Sequence, residues 1–99
     1  MEQMYVIELT TEHEDRSNDV RSQTEILVNE GVFQVKEDAI ARCVDLVMAK
    51  YNELRNIETK YVCSGIFRRG AILHIDEGDY MTSFDGDTYV WRVCPIEFH

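Results

Sequence analysis

Residues 36–56 have the spacing of one long amphipathic helix, and this segment constrains the fold more than any other part of the sequence. Its apolar residues recur at steps of four, three, four and three, which places them on one helical face. The face consists of Ile40, Val44, Val47, Tyr51 and Leu54, widened by Ala39, Cys43 and Met48. Acidic residues open the segment and basic residues close it, as the helix dipole favours. We expect a helix that ends near Asn56, a rod of roughly 28 Å that can cross a small sheet.

The chain before this helix favours β-strands, with one ambiguity. Residues 5–9 alternate with the period of a half-buried strand. Residues 19–30 leave two interpretations open. Their β-branched residues favour two strand pieces around a turn at 29–31, and the glycine at the end of that turn would equally terminate a short helix. Residues 10–23 are polar and have no period, so we expect a mobile loop there.

Three apolar runs follow the helix, at residues 60–67, 71–75 and 88–98. A turn that contains a glycine separates the first two, and the last run is rich in aromatic residues. Pro95 cannot donate a hydrogen bond to a strand ladder, so its strand is expected to be an edge or to be bulged there. No repeat or linker interrupts the chain. The sequence therefore predicts a single domain over residues 1–99 of the α+β class: an antiparallel sheet of four to five strands with the long helix packed on one face.

The charge of the chain limits its partners. It has 19 acidic and 10 basic residues, a formal net charge of −9. Direct binding to nucleic acid or to anionic lipid needs basic residues that face phosphates, so neither is expected. The acidic excess falls in residues 1–31 and 58–99, whereas the middle of the chain is balanced. This distribution favours a basic partner, and a merely solvated acidic surface is the plainer interpretation.

Targeting signals and cysteine usage indicate a cytoplasmic protein. The N-terminal residues lack a basic region and a long apolar run, so neither export nor membrane insertion is expected. The three cysteines, Cys43, Cys63 and Cys94, are odd in number and form no CxxC pair. Each lies in an apolar pattern, where a reduced thiol behaves as a small hydrophobic group.

The acidic stretch DEGDYMTSFDGD, residues 76–87, raises the question of a cation site. A calcium loop of the EF-hand type needs acids at alternate positions before a glycine and a closing glutamate after it, and this order is absent. No histidine and cysteine cluster has zinc spacing, so neither a metal nor another cofactor is expected. Its two glycines are better explained as turn residues between short strands.

Catalysis has weak support in the sequence. Cys63, His74 and Asp76 could form a nucleophile, a base and an orienting group if they lay on neighbouring strands. No glycine signature for an oxyanion hole accompanies them, and strand cysteines and histidines are more often packing residues. We therefore expect a protein that is not an enzyme.

The sharpest functional prediction is an acidic surface with apolar anchors. Acidity raises association rates, and aromatic anchors supply affinity, so a docking surface needs both. The predicted partner-binding residues are Asp76, Glu77, Asp79, Tyr80, Phe84, Asp85, Asp87 and Trp91, on one face with Glu8, Glu12, Glu14, Asp15 and Asp19. Such a face could occupy a basic, nucleic-acid-binding site on another protein.

The segment GVFQVKEDAIARCVDLV, residues 31–47, resembles the strand-to-helix junction of small phage and prophage proteins. Those are compact α+β proteins, and some resemble DNA mimics or inhibit host enzymes or host defence. The resemblance implies a phage-encoded inhibitor in the host cytoplasm, acting on a host or defence protein. It carries no functional residues over.

Two further expectations remain. Arg68 and Arg69 form the only basic doublet and, with His74, could bind a nucleotide or a phosphorylated metabolite, although an exposed hairpin tip is the plainer interpretation. A broad apolar helix face and an aromatic final strand exceed what one small sheet covers, so we also expect a C2 homodimer.

Overall fold

The computed structural model describes residues 2–15, 17–60, 70–76 and 78–98, which form one antiparallel sheet and one long helix. The expected α+β fold is confirmed. The described elements are β1 (Glu2–Glu14), β2 (Val20–Ile26), a 3-10 turn (Val28–Glu30), α1 (Lys36–Lys60), β3 (Ile72–Asp76), β4 (Asp79–Phe84) and β5 (Asp87–Phe98). The strands lie in the order β2-β1-β5-β4-β3, and the two longest strands are therefore neighbours near the centre of the sheet.

The long helix carries the expected apolar stripe. Its buried residues are Ala39, Cys43, Val47 and Leu54, which repeat at helical spacing and face the sheet. The helix runs to Lys60 and passes the expected end at Asn56. Asparagine is only a weak stop signal, and no proline or glycine follows it within the helix. Within the described residues, no helix is long and apolar enough to cross a bilayer.

Residues 10–23 are not the expected loop but most of a β-hairpin. The register of β1 and β2 is unbroken from Glu8 opposite Ile26 to Glu14 opposite Val20. Asp15 closes the hairpin turn. Its carboxylate accepts hydrogen bonds from the backbone N–H and the hydroxyl of Ser17 and from the backbone N–H of Asp19. The polar composition was misleading because all seven residues of β2 are exposed, so no hydrophobic alternation marks the strand.

The chain between β2 and α1 takes neither of the two expected forms in full. The strand interpretation holds only as far as Ile26, after which a 3-10 turn leads to Gly31 with a positive φ of 82°. Phe33 then makes an isolated bridge with Tyr5 through two backbone hydrogen bonds of 2.8 Å. The chain after β2 thus lies beside the first residues of β1, which β2 does not reach.

The glycine turns of the acidic stretch are confirmed. Gly78 has a φ of 89° in the turn between β3 and β4. Asp85 and Gly86 both have positive φ, 48° and 96°, and connect β4 to β5 as a two-residue hairpin turn. Of the run expected at residues 60–67, Lys60 belongs to α1, and the rest lies outside the described residues, as does most of the turn after it.

Pro95 lies where its missing N–H is harmless. The pairing of β4 with β5 reaches Trp91 and goes no further, so among the described strands the later part of β5 pairs with β1 alone, where Tyr5 stands opposite Pro95. β5 is not an edge strand, since it lies at the centre of the sheet, and its register with β1 is unbroken at this residue; the proline is tolerated because β4 does not reach it.

The core lies between α1 and one face of the sheet. Its central cluster joins β1, α1, β4 and β5 through Ile7, Cys43, Val47, Tyr80 and Trp91. Leu27 and Phe33 pack against this cluster from the connection before the helix. The apolar face of α1 and the aromatic residues of the final strand therefore cover each other.

Candidate protein-binding surface

The strand register sorts the side chains of the sheet onto two faces. Tyr80 stands opposite Trp91, and both belong to the core beside the helix. Side chains alternate along a strand, so the residues directly before and after Tyr80 and Trp91 point away from the helix. We call this other side the open face. It carries Glu8, Thr10, Glu12 and Glu14 of β1, Asp79, Met81 and Ser83 of β4, and Thr88, Val90 and Arg92 of β5. None of the described elements packs across it.

One end of the open face is a row in which a single arginine bridges two carboxylates. Arg92 on β5 donates from Nε to Asp79 Oδ1 at 2.6 Å, and its Nη1 lies 4.0 Å from Glu8 Oε1. The hydrogen bond with Asp79 raises the pKa of Arg92. One guanidinium partly offsets two carboxylates, so this end of the face keeps a smaller negative charge than its acidic residues alone would give.

The opposite end of the open face is an acidic groove of about 90 Å³. Carboxylates from two parts of the chain meet there, because the Glu14 backbone N–H donates to the Gly86 carbonyl at 2.9 Å and brings the two hairpin turns together. The groove is lined by Glu12, Glu14, Val20, Ile72, Ser83, Asp85, Gly86 and Thr88. Both of its apolar side chains are well exposed. The groove thus combines negative charge with apolar walls.

Between the two ends lies a row of small and apolar side chains. Met81 stands opposite Val90, and both are half-buried. Thr10 stands on the other side of Val90, and its Oγ1 lies 3.0 Å from Thr24 Oγ1 on β2. This row gives the open face an apolar centre that a protein partner can cover.

Three of the predicted partner-binding residues are core residues. Tyr80, Phe84 and Trp91 are only 7%, 6% and 5% exposed, so the expectation that they stand out as surface anchors is wrong. They occupy alternate positions on the strands, and those positions face α1. A sheet covered by a single helix buries its largest aromatic residues on that side because this removes the most apolar surface from water.

The predicted acidic residues divide between the faces. Asp79 and Asp85 lie with the open face, and Asp76 lies at the end of β3 with its side chain mostly exposed. Asp87 lies on the opposite side, where it contacts His13. Glu77 is outside the described residues. The predicted acidic residues therefore do not all lie on one face. Those on the open face share it with Glu8, Glu12 and Glu14 of β1.

The alternative ligand site is only partly described. Arg68 and Arg69 lie outside the described residues, as does Cys63 of the considered nucleophile set. His74 is exposed on β3, with its Nε2 3.6 Å from Asp76 Oδ2. Among the residues that the structure describes, no group of three or more histidine, cysteine or acidic side chains could hold a metal ion.

Sequence reasoning missed a second, polar cleft of about 270 Å³ beside the helix. His13 and Asp87 stand opposite each other on β1 and β5, and their side chains meet there. The other lining residues are Thr11, Glu12, Arg21, Ser22, Gln23 and Tyr89. Lys50 of α1 lies over the Tyr89 ring, with Nζ 4.6 Å from its centroid. No local pattern identifies this cleft, because it depends on the pairing of distant strands.

Comparisons of the chain with protein-family models, with curated proteins and with solved structures found no match. The functional proposal therefore depends on the site geometry and the charge of the chain.

Proposed function

We propose that this chain is a non-enzymatic binding protein whose open face docks on a basic surface of another protein. The observation that carries the proposal is the acidic groove, where Glu12, Glu14 and Asp85 stand beside the exposed side chain of Ile72. Carboxylates steer a basic partner and fix its orientation, and burial of apolar surface supplies affinity. Met81 and Val90 take the anchoring role first assigned to the buried aromatic residues.

The kind of partner follows from the same chemistry. Glu12 and Glu14 stand at alternate positions of β1, about 7 Å apart, and Asp85 adds a third carboxylate across the groove, a spacing close to that of successive phosphates, which suits a surface built to bind nucleic acid. The net charge of −9 adds long-range attraction for such a surface. In this proposal the chain occludes a basic, nucleic-acid-binding site, as a phage-encoded inhibitor in the host cytoplasm would do to a host or defence protein.

The experiment compares capture of nucleic-acid-binding proteins from a bacterial lysate by three forms of the chain. The groove variant carries Glu12→Gln, Glu14→Gln and Asp85→Asn. The control variant carries Glu37→Gln, Asp45→Asn and Glu53→Gln, which remove the same charge from exposed positions of α1. Captured proteins should elute with salt, and duplex DNA should compete for them.

The groove variant should bind the captured partner roughly tenfold more weakly, since three screened charge pairs are worth about 0.5 kcal/mol each. The control variant should bind like the wild-type chain. Equal weakening in both variants would mean that only net charge matters and would contradict docking at the groove. Unchanged affinity in the groove variant, or binding that ignores both salt and DNA, would overturn the proposal.

A further inference from the structure

Strand β2 is one of the two outer strands of the sheet, and one of its edges has no partner among the described elements. In the described part of the chain β2 is hydrogen-bonded to β1 and to no other strand, and neither the helix nor another strand packs extensively on it. Leu27 continues the strand direction, and its N–H donates to the Ile7 carbonyl at 2.9 Å. The backbone N–H and C=O groups of successive residues point to opposite sides of a strand. Since those of Leu27 point toward β1, the N–H and C=O groups of the other odd-numbered residues of β2 do so as well. The N–H and C=O groups that point outward belong to Val20, Ser22, Thr24 and Ile26.

This edge lacks the features that usually prevent strand pairing. Proline, a β-bulge or charged side chains that a second strand would leave unmatched protect such an edge. The strand sequence VRSQTEI contains no proline or glycine, and its register with β1 is continuous. Its two charged residues have opposite signs. An exposed, regular strand with unpaired outward groups is a template for another strand.

The sequence of β2 is complementary to itself in the antiparallel direction. If two copies of β2 pair about Gln23, Arg21 of one copy stands opposite Glu25 of the other. Val20 then stands opposite Ile26, and Ser22 stands opposite Thr24. Each facing pair matches in chemistry: opposite charges, two apolar side chains and two hydroxyls. A shift of the two-fold axis by one residue either way shortens the overlap and places Arg21 or Glu25 opposite Gln23.

We propose that a second copy of this chain docks antiparallel on β2, with the two-fold axis at Gln23. The two sheets then form one continuous sheet. The outward backbone groups of the even-numbered residues face each other in this register, which gives about eight hydrogen bonds between subunits. Val20 and Ile26, now 60% and 45% exposed, cover each other on the open face. Arg21 and Glu25 pair on the side of the helix.

This interface differs from the one that the sequence suggested. The helix face and the aromatic final strand, whose apolar surface led to the expectation of a dimer, are packed on each other within one chain. The polar edge of β2 takes their place as the surface for a second copy. Charge complementarity and backbone pairing hold this dimer together, with one apolar pair on each side of the axis.

Charge reversal tests the proposal through light scattering of the full chain after size exclusion. The wild-type chain should be a dimer at micromolar concentration. Arg21→Glu places two glutamates opposite each other, and Glu25→Arg places two arginines opposite each other, so each variant should dimerise at least tenfold more weakly. A mixture of the two variants restores both pairs and should form a heterodimer. Lys36→Glu, with the same charge change at an exposed position of α1, should leave the dimer intact.

Cross-linking tests the register. In a Gln23→Cys variant the two cysteines form a pair that is not hydrogen-bonded, with Cα atoms about 4.5 Å apart, within the range of a disulfide. Mild oxidation should therefore link two chains. In an Arg21→Cys variant the two cysteines lie about four residues apart along the strands, roughly 13 Å, and should not link. The wild-type chain controls for its native cysteines.

A monomeric wild-type chain at about 100 µM would overturn the proposal. A dimer that ignores charge reversal, or that links through position 21 and not position 23, would also overturn it, because the contact would then lie elsewhere or in another register. If β2 instead receives a strand of another protein, the wild-type chain alone stays monomeric, and this too contradicts a self-paired edge.

Discussion

His13 Nδ1 lies 2.5 Å from Asp87 Oδ1, which joins the ends of β1 and β5 in the polar cleft of about 270 Å³. The two side chains are 58% and 44% exposed. Water therefore screens the contact, and it is an ion pair only when the imidazole is protonated. Its position next to the turn between β4 and β5 indicates a role in holding the strand ends together.

We expect the His13 and Asp87 pair to contribute a small, measurable coupling to stability. A double-mutant cycle with His13→Gln, Asp87→Asn and the combined variant should give a coupling of about 0.2–1 kcal/mol in urea denaturation, the range of exposed pairs. The cycle contains its own control, because each single variant removes the contact. A coupling of zero would show that the two side chains do not interact in solution.

Trp91 is the only tryptophan of the chain, and it should report on the core instead of on the open face. Its fluorescence in the folded protein should be blue-shifted and poorly quenched by acrylamide. Trp91→Ala should lower the free energy of unfolding by about 3–5 kcal/mol because it opens a large cavity. Val90→Ala, the adjacent residue on the open face, should cost about 1 kcal/mol. Equal effects of the two substitutions would contradict the assignment of the faces.

The sequence predicted the helix well and the β2 hairpin poorly, for one physical reason. Buried positions produce periodicity, and α1 buries one clear stripe from Ala39 to Leu54. β2 buries no side chain, so its sequence shows no hydrophobic alternation and has the polar composition of a loop. Backbone pairing with β1 makes it a strand, and backbone hydrogen bonds leave little trace in composition.

The candidate site was predictable in its charges but not in its anchors. Alternation along β5 groups Tyr89, Trp91 and Val93 on one side, yet alternation alone does not say which side meets a helix. The pairing of β4 with β5 decides this, and it places Tyr80 and Trp91 in the core. The polar cleft was missed for a related reason, since 74 residues separate its two central side chains.

Cys43 should be inert toward thiol reagents in the folded protein. It is fully buried against the sheet, and burial raises the pKa of its thiol to about 11. The reactive thiolate is therefore scarce below about pH 9. Site-resolved mass spectrometry after alkylation should find Cys94, which is half-buried, labelled before Cys43, and urea should equalise the two rates. Rapid labelling of Cys43 in native buffer would contradict its place in the core.

The pair of Arg42 and Glu30 ties the 3-10 turn to α1 and should make stability depend on pH. The guanidinium donates from Nε at 2.5 Å and from Nη2 at 3.1 Å to the two carboxylate oxygens. These hydrogen bonds lower the pKa of Glu30 in the folded state. A carboxyl whose folded pKa is lowered contributes stability above its unfolded pKa, near 4.5, and loses it as pH falls through the folded value.

Arg42→Gln should therefore lower the urea midpoint at about pH 7 and have a shrinking effect as the pH falls below about 4. In a Glu30→Gln background the group that titrates is absent, so Arg42→Gln should have the same small effect at every pH. The measurement is a series of urea denaturations of the four proteins between about pH 3 and 7. The prediction is wrong if the difference in urea midpoint between wild type and Arg42→Gln grows as the pH falls. The ion pair would then be stronger in the unfolded chain than in the folded one, opposite to the observed geometry.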